Sequence, residues 1–199
     1  MYIVKQAKVG LNGGGRAMRT SREQVEQNRE VLLEAAGRGY RRLGFDGVRV
    51  ADVMQEAGLT HGGFYGYFAS KEDMAAQAFS HYFGLLTERL RGRVERGETL
   101  AEYAERYLSR RNRDHPDQAC LFSSLSGEVA RQPDAVRRAY TEGLEAYLAE
   151  FTNLTGNRAD AIAAFATLIG AMSLARAVDD DALSREILEA GKRALDAAR

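Results

Sequence analysis

The chain has 199 residues, 45% hydrophobic and 28% charged, which is length enough for one large or two small folded units and apolar content enough for a substantial core; a disordered polymer is excluded. Its 28 basic and 28 acidic residues cancel, yet they are unevenly spread: residues 1–71 carry 11 Lys plus Arg against 7 Asp plus Glu, a net +4, and residues 72–199 carry 17 against 21, a net −4. A basic head on an acidic body suits a protein that holds nucleic acid at one end and keeps its other end off it.

A single cysteine, Cys120, excludes an internal disulfide framework and fits a reducing compartment. His61, His81 and His115 stand far apart, with no Cys-x-x-Cys or His-Glu-x-x-His spacing, so no metal is expected. No Gly-rich phosphate loop follows a strand and no Gly-x-Ser-x-Gly elbow occurs, so neither a cofactor nor an enzyme is expected. The apolar stretch Met1 to Val4 is too short for a signal peptide or a membrane helix, and a cytoplasmic protein without a membrane partner is expected.

In chain order, residues 1–20 hold Lys5, Lys8, Arg16 and Arg19 with no acid, and Gly13-Gly14-Gly15 break any helix. Residues 1–21 therefore read as a disordered basic arm, either following DNA or serving as an extension without function. A first helix is expected from about Asn28 to Leu43, with Leu32, Ala35, Ala36, Tyr40 and Leu43 on one apolar stripe. Gly37 and Gly39 interrupt it, each at a cost of about 1 kcal/mol relative to alanine in an exposed helix interior. Only close packing against a neighbour accounts for Gly39.

Val50, Val53, Met54 and Ala57 recur at i, i+3, i+4 and i+7, which predicts a second helix stopped by Gly58, with Leu59 plugging the turn. Thr60 stands at an N-cap position, its hydroxyl placed to accept from the amide of Gly62 or Gly63, and opens a third helix. On it Phe64 and Phe68 share an inward face while Gly62, Gly63 and Gly66 fall on the far side. That is helix-turn-helix geometry. Ser70 and Asp73 repeat the capping pattern and open a long fourth helix with Lys71 in its first turn, where a lysine opposes the helix dipole and points to a phosphate ligand. The same aromatics could simply be the core of a small helical unit; the spacing, the glycine turn and the Lys71 segment together favour DNA binding.

The fourth helix carries Met74, Ala78, Phe79, Tyr82, Phe83, Leu86 and Leu90 inward and links the head to the body. Beyond Gly97, Leu100, Tyr103, Ala104, Tyr107 and Leu108 define a fifth helix, ending in the polar run Asn112 to Gln118 that contains Pro116. A sixth is expected from Ala119 to Arg131, and a seventh starts at Pro133 with Val136, Tyr140, Leu144, Tyr147, Leu148 and Phe151 on its apolar side. Residues 158–177 form an eighth helix rich in alanine, and Asp179-Asp180-Asp181 cap a last helix bearing Leu183, Ile187, Leu188, Gly191 and Leu195. The fold is expected to be all-α with about nine helices, divided into the arm 1–21, a three-helix helix-turn-helix unit 22–70 and a body 71–199 for ligand binding and dimerisation.

The stretch from Gly44 to Asp73, with its glycine turn, its Thr-His-Gly-Gly-Phe-Tyr-Gly-Tyr-Phe run and its Ser-Lys-Glu-Asp helix start, resembles the N-terminal signature of the tetracycline-repressor (TetR) family of bacterial regulators. The match is close over residues 28 to 80; the rest resembles the family only in length and helical character. The resemblance implies that Thr60, His61, Gly62, Gly63, Tyr65, Gly66 and Tyr67 lie in or beside the major groove of double-stranded operator DNA, with Tyr65, Tyr67 and Lys71 on phosphates. Arg49, the basic residue just before the second helix, is taken with them as a DNA-facing candidate. Two departures stand out. Gly63 and Gly66 occupy positions where family members often carry reaching side chains, which suggests recognition by close backbone approach and DNA shape, and Gly39 occupies a usually apolar position.

Two further sites are expected in the body. A pocket for a small apolar or aromatic effector is placed between the long helix and the fifth to eighth, drawing on Phe83, Tyr103, Tyr107, Cys120, Phe122, Tyr140, Tyr147, Phe165 and Met172, an aromatic and nearly uncharged set in which tyrosine hydroxyls would need partners. The bland alternative for each aromatic is ordinary core. A homodimer interface is placed on the last two helices through Ile162, Ile169, Gly170, Ala171, Leu183, Ile187 and Leu188. The expected function is a ligand-responsive repressor acting as a homodimer on a palindromic operator. The alternatives are a redox-sensing regulator through Cys120, at the start of a helix whose dipole would lower its thiol pKa, and a helical enzyme or carrier without DNA binding.

Overall fold

The computed structural model describes residues 22–115 and 120–196; the basic segment 1–21 and Pro116 lie outside the described residues. Every regular element among those described is helical. α1 (Arg22–Gly47) is longer at both ends than the apolar stripe suggested, and Gly44, at φ 70° and ψ −178°, kinks it near its C-terminus. The kink corrects one expectation: Leu43 is left exposed, and Phe45, two residues on, turns into the core instead. Gly39 is buried against Val48, whose Cγ2 would lie 3.2 Å from an added Cβ, so close packing does account for that glycine.

α2 (Val50–Glu56) buries Val53 and Met54 and ends before Gly58, which takes φ 72° and turns the chain. The next segment corrects another expectation. His61–Gly66 is a 3-10 helix, η1, rather than an α-helix, and the Thr60 side chain makes no cap; the Gly63 amide donates instead to the Thr60 carbonyl. Three glycines in six residues lower α-helix propensity enough for the tighter, shorter winding to prevail.

The expected fourth helix is α3 (Lys71–Val94), capped by the Ser70 hydroxyl, which accepts from the Asp73 amide. α4 (Leu100–Tyr107) starts with a capping box made by Thr99 and Glu102. A short helix, α5 (Arg110–Asp114), capped by Ser109, occupies part of the polar run read as a loop. α6 (Leu121–Val129), α7 (Asp134–Thr155), α8 (Arg158–Ala177) and α9 (Asp181–Asp196) complete the chain.

The long α3 packs along α7, α8 packs on both α7 and α9, and α1 rests on α3 and α6. One continuous apolar core results. In the head Tyr40, Phe45 and Phe79 meet edge to face or tilted. In the body Phe83 stacks on Phe122 at 4.5 Å, and Phe122 in turn meets Tyr147 and Phe165. α3 and α7 come this close because Gly143 faces Phe83, and an added Cβ there would sit 2.0 Å from the ring.

Candidate DNA-reading site and the cavity behind it

The turn and η1 present one exposed face. Thr60, His61, Gly62, Tyr65 and Gly66 are exposed, Gly63 and Tyr67 half-buried. Phe64 and Phe68, 5.6 Å apart, anchor the segment from the other side. Tyr65 is 78% exposed, an unusual state for an aromatic ring, and its ring touches only the edge of Phe64 among aromatics. Gly62 and Gly66 have ordinary negative φ and nothing within 4 Å of an added Cβ. Nothing inside the molecule calls for glycine at either position. Tyr67 is steadied by Asn28, whose side-chain amide donates to the phenol oxygen at 3.0 Å. Arg49 is exposed and held in a fork by Asp52 at 2.8 and 3.0 Å.

Lys71 has a structural duty in this fold. Its ammonium donates to the carbonyl of Phe45 at 2.8 Å, closing the C-terminal end of α1 onto the start of α3. On the same turn the Phe45 amide donates to the carboxylate of Glu128 at 2.8 Å. Glu128 sits so tightly against Gly44 that an added Cβ would lie 2.7 Å from its Oε1. A third contact, Arg41 of α1 over the ring of Tyr82 at 4.5 Å, completes the join. Glu128 closes α6, and Tyr82 belongs to the middle of α3. The head is therefore bolted to two helices of the body through one turn.

Those two helices also border a cavity of about 490 Å³. Of the nine residues expected around a pocket, Tyr103, Tyr107, Cys120 and Tyr147 line it; Phe83, Phe122, Tyr140, Phe165 and Met172 do not. Phe83, Phe122 and Phe165 are packed ring on ring, Met172 is fully buried in the core, and Tyr140 shares a hydrogen bond with Ser126 at 2.7 Å. The remaining lining corrects the expectation of an uncharged site: Arg89, Arg93, Arg106, Arg111 and His115 border the cavity, with no carboxylate among its described lining residues. One signal for this was available in the sequence, since Tyr82, Leu86, Arg89 and Arg93 follow one another at helical spacing along one face of α3.

On the floor the Tyr103 and Tyr147 hydroxyls bond each other at 2.7 Å, whereas the buried Tyr107 hydroxyl has no hydrogen-bond partner among the described residues. Cys120 is buried there too, and loss of water pushes its thiol above the ordinary range; amides of the α6 N-terminus pull the other way and are outweighed. Arg176 braces the far wall by donating to the carbonyls of Asn112 and Arg113 and to the hydroxyl of Ser123. Among the described residues no group of three or more His, Cys, Asp or Glu could hold a metal ion.

The outer side of α8 is apolar from Ile162 to Leu174. α8 is long and apolar enough, by length and composition alone, to cross a membrane, and only 33% of that stretch is buried. Its Ile162, Ala166, Gly170 and Leu174 are exposed, and Leu183 of α9 joins them; Leu174 reaches 59% exposure. Ile169 and Ile187 are half-buried. Ala171 and Leu188, expected at an interface, are buried within the protomer, where Ala171 packs against Gly191.

Two short helices around a glycine turn, with an aromatic and a backbone face turned outward and a separate all-α body behind, define a helix-turn-helix protein. Residues 32–78 match the model of bacterial regulatory proteins, tetR family, so the chain carries a segment like that family's N-terminal reading unit. It is 25% identical over 126 residues to the HTH-type transcriptional repressor NemR of Escherichia coli K12, an alignment covering 61% of this chain and 63% of NemR. The chain thus spans a little under two thirds of that relative's length. The crystal structure of E. coli NemR in its reduced form superposes with a TM-score of 0.71 at 22% identity, over 86% of this chain and 96% of the other. A TetR-family regulator from Cytophaga hutchinsonii gives 0.70 at 21% identity, over 87% and 96%.

Proposed function

We propose that the chain is a cytoplasmic, ligand-responsive repressor that binds a palindromic operator as a homodimer. One observation carries the DNA-binding part: Gly62 and Gly66 flank the outward ring of Tyr65 in open space, with no internal reason to lack side chains. A partner that approaches the backbone supplies that reason, and in a helix-turn-helix segment the partner is the major groove. His61, at the exposed start of η1, is the side chain best placed for a base edge. Thr60, Gly63, Tyr67 and Arg49 flank it, and Lys71 contributes positive charge at the N-terminus of α3 while bracing the turn. Repression fits the likeness to NemR, a transcriptional repressor.

Dimerisation rests on the exposed face of α8 and α9. Small residues there let helices of a second copy come close, and the apolar area would otherwise stay in water. Two copies place two heads at a fixed separation, which a palindrome matches. A ligand in the cavity touches α3 and the N-terminus of α6, the two helices that hold the Gly44–Phe45 turn, and so can bias the angle of the head. A tenfold loss of operator affinity requires about 1.4 kcal/mol of preference for the non-reading state.

The experiment is a selection of bound duplexes from a random library by the full chain, followed by binding of the selected duplex to Tyr65→Ala. Enrichment of a two-fold symmetric sequence and loss of binding by a folded Tyr65→Ala support the reading; enrichment of nothing, with the protein folded, rejects it.

A further inference from the structure

The body cavity separates two kinds of surface. Its floor is made by Tyr103, Tyr107 and Tyr147, all buried, and its mouth by Arg89, Arg106 and Arg111, all exposed, with Arg93 half-buried between. Two of these arginines are already matched: Glu98 takes Arg93 at 3.4 Å and Arg106 at 3.0 Å. Arg106 also lies over the Tyr103 ring at 4.7 Å. Arg89 and Arg111 form no ion pair with a described residue, and no described Asp or Glu lines the cavity. Among the described residues, four guanidiniums and one carboxylate near a single opening leave an excess of positive charge over a low-dielectric floor, where an anion gains more than it would over open water.

We infer that this cavity takes an amphipathic organic anion: a planar or aliphatic apolar body seated on the tyrosine floor, and one carboxylate or similar group at the mouth held by Arg89 and Arg111. Planar guanidiniums grip a carboxylate through two parallel hydrogen bonds, and about 490 Å³ accommodates a molecule the size of a fused aromatic acid or a medium-chain acid. The Tyr107 hydroxyl, buried beside Cys120 without a partner among the described residues, marks the inner end as the place where a polar atom on the ligand would be welcome. This inference rests on the ligand-switch reading for its consequence, but not for its chemistry.

The full chain lacks tryptophan, so calorimetry serves better than intrinsic fluorescence. The probes are 2-naphthoate and decanoate, each against its neutral amide, together with 2-naphthylmethylammonium. The acids should bind at least about tenfold tighter than their amides, since a charged hydrogen bond is worth roughly twice a neutral one or more, and the ammonium should not bind. In Arg89→Gln with Arg111→Gln the acid-over-amide preference should vanish while the weak binding of the amides persists, which separates lost recognition from lost fold. Amides binding as tightly as acids, acids failing to bind, or a preference unchanged in the double variant would each overturn the inference. A second arm reads DNA. Acid binding that leaves affinity for the selected duplex unchanged would sink the switch and leave the anion site standing. Release by the amides alone would overturn the anion site and leave the switch.

Discussion

Gly143 in the body and Gly66 in the head are both glycines that keep a space clear, but for opposite reasons. A Cβ on Gly143 would meet the Phe83 ring at 2.0 Å, whereas one on Gly66 would meet nothing within 4 Å. The first space is filled by the molecule itself and the second is left for something else. The same contrast separates Phe122, locked among Phe83, Tyr147 and Phe165, from Tyr65, which projects into solvent. Residues of the first kind hold the fold; residues of the second kind give a folded protein a partner. Substitutions should respect that division, and those that do not would break it.

The largest effect is expected at Gly143. Gly143→Ala overpacks the contact between α3 and α7 and should destabilise the chain by about 3 kcal/mol, read as a lower urea midpoint at unchanged slope. A loss under about 1 kcal/mol would mean that Phe83 can swing aside and that the close approach is incidental. Next comes the outer face of α8. Leu174→Glu changes a side chain 59% exposed in the protomer, so the fold should survive while dimers give way to monomers in light scattering, because a dimer would bury two unpaired carboxylates. Operator affinity should fall about a hundredfold, or about 2.7 kcal/mol. Glutamate at the buried Ala171 or Leu188 would confound unfolding with dissociation, which makes Leu174 the sharper choice. A Leu174→Glu protein that stays dimeric places the interface elsewhere.

The turn between head and body should respond less. Removing the Glu128 carboxylate orphans the Phe45 amide, a charge-assisted bond worth about 2 kcal/mol. Glu128→Ala should therefore lower stability by roughly that amount, speed hydrogen exchange at the Phe45 amide, and weaken the effect of any ligand on DNA binding. Unaltered exchange at Phe45 would show that Lys71 alone holds the turn. Gly66→Ala is the mirror image of Gly143→Ala. It should raise stability by up to about 1 kcal/mol through helix propensity and weaken operator binding about tenfold, or about 1.4 kcal/mol. Affinity equal to that of the parent would remove the close-approach account of η1.

How much of this could be read from the chain depends on how far apart the deciding residues lie. The helix-turn-helix was legible because each part is local: the i, i+3, i+4 spacing of Val50, Val53 and Met54, the stop at Gly58, the Ser70 cap. The winding of η1 was not, since the signals that open an α-helix at Thr60 also open a 3-10 helix, and only the balance of three glycines against two anchoring phenylalanines decides. Leu43 was misplaced because a periodic stripe carries no warning of a kink at Gly44. Phe45 and Glu128 stand 83 residues apart, and no local pattern pairs them. The cavity failed for a related reason. Its aromatic residues share a composition with the core, so Phe122 and Tyr107 look alike in sequence, and its arginines come from α3, α4 and α5, each unremarkable alone.

The smallest effect should come from Cys120, which belongs to both sides of the comparison, buried like core yet lining the cavity. A redox role needs a thiolate that a reagent can reach. Burial instead pushes this thiol upward, and although the Phe122 and Ser123 amides favour the charged form, they lose to it. The neutral thiol therefore prevails at neutral pH, and any reactivity should grow only on the alkaline side of the usual thiol range. In the native protein a disulfide reagent should find Cys120 silent, with one equivalent reacting after denaturation in urea. Cys120→Ser should cost no more than about 1 kcal/mol and leave DNA binding insensitive to oxidant, as in the parent. Rapid reaction of the native thiol at pH 7, with oxidation releasing DNA, would turn the cavity from a place that waits for a ligand into one that is chemically altered, and would revive the redox reading at the expense of the ligand switch.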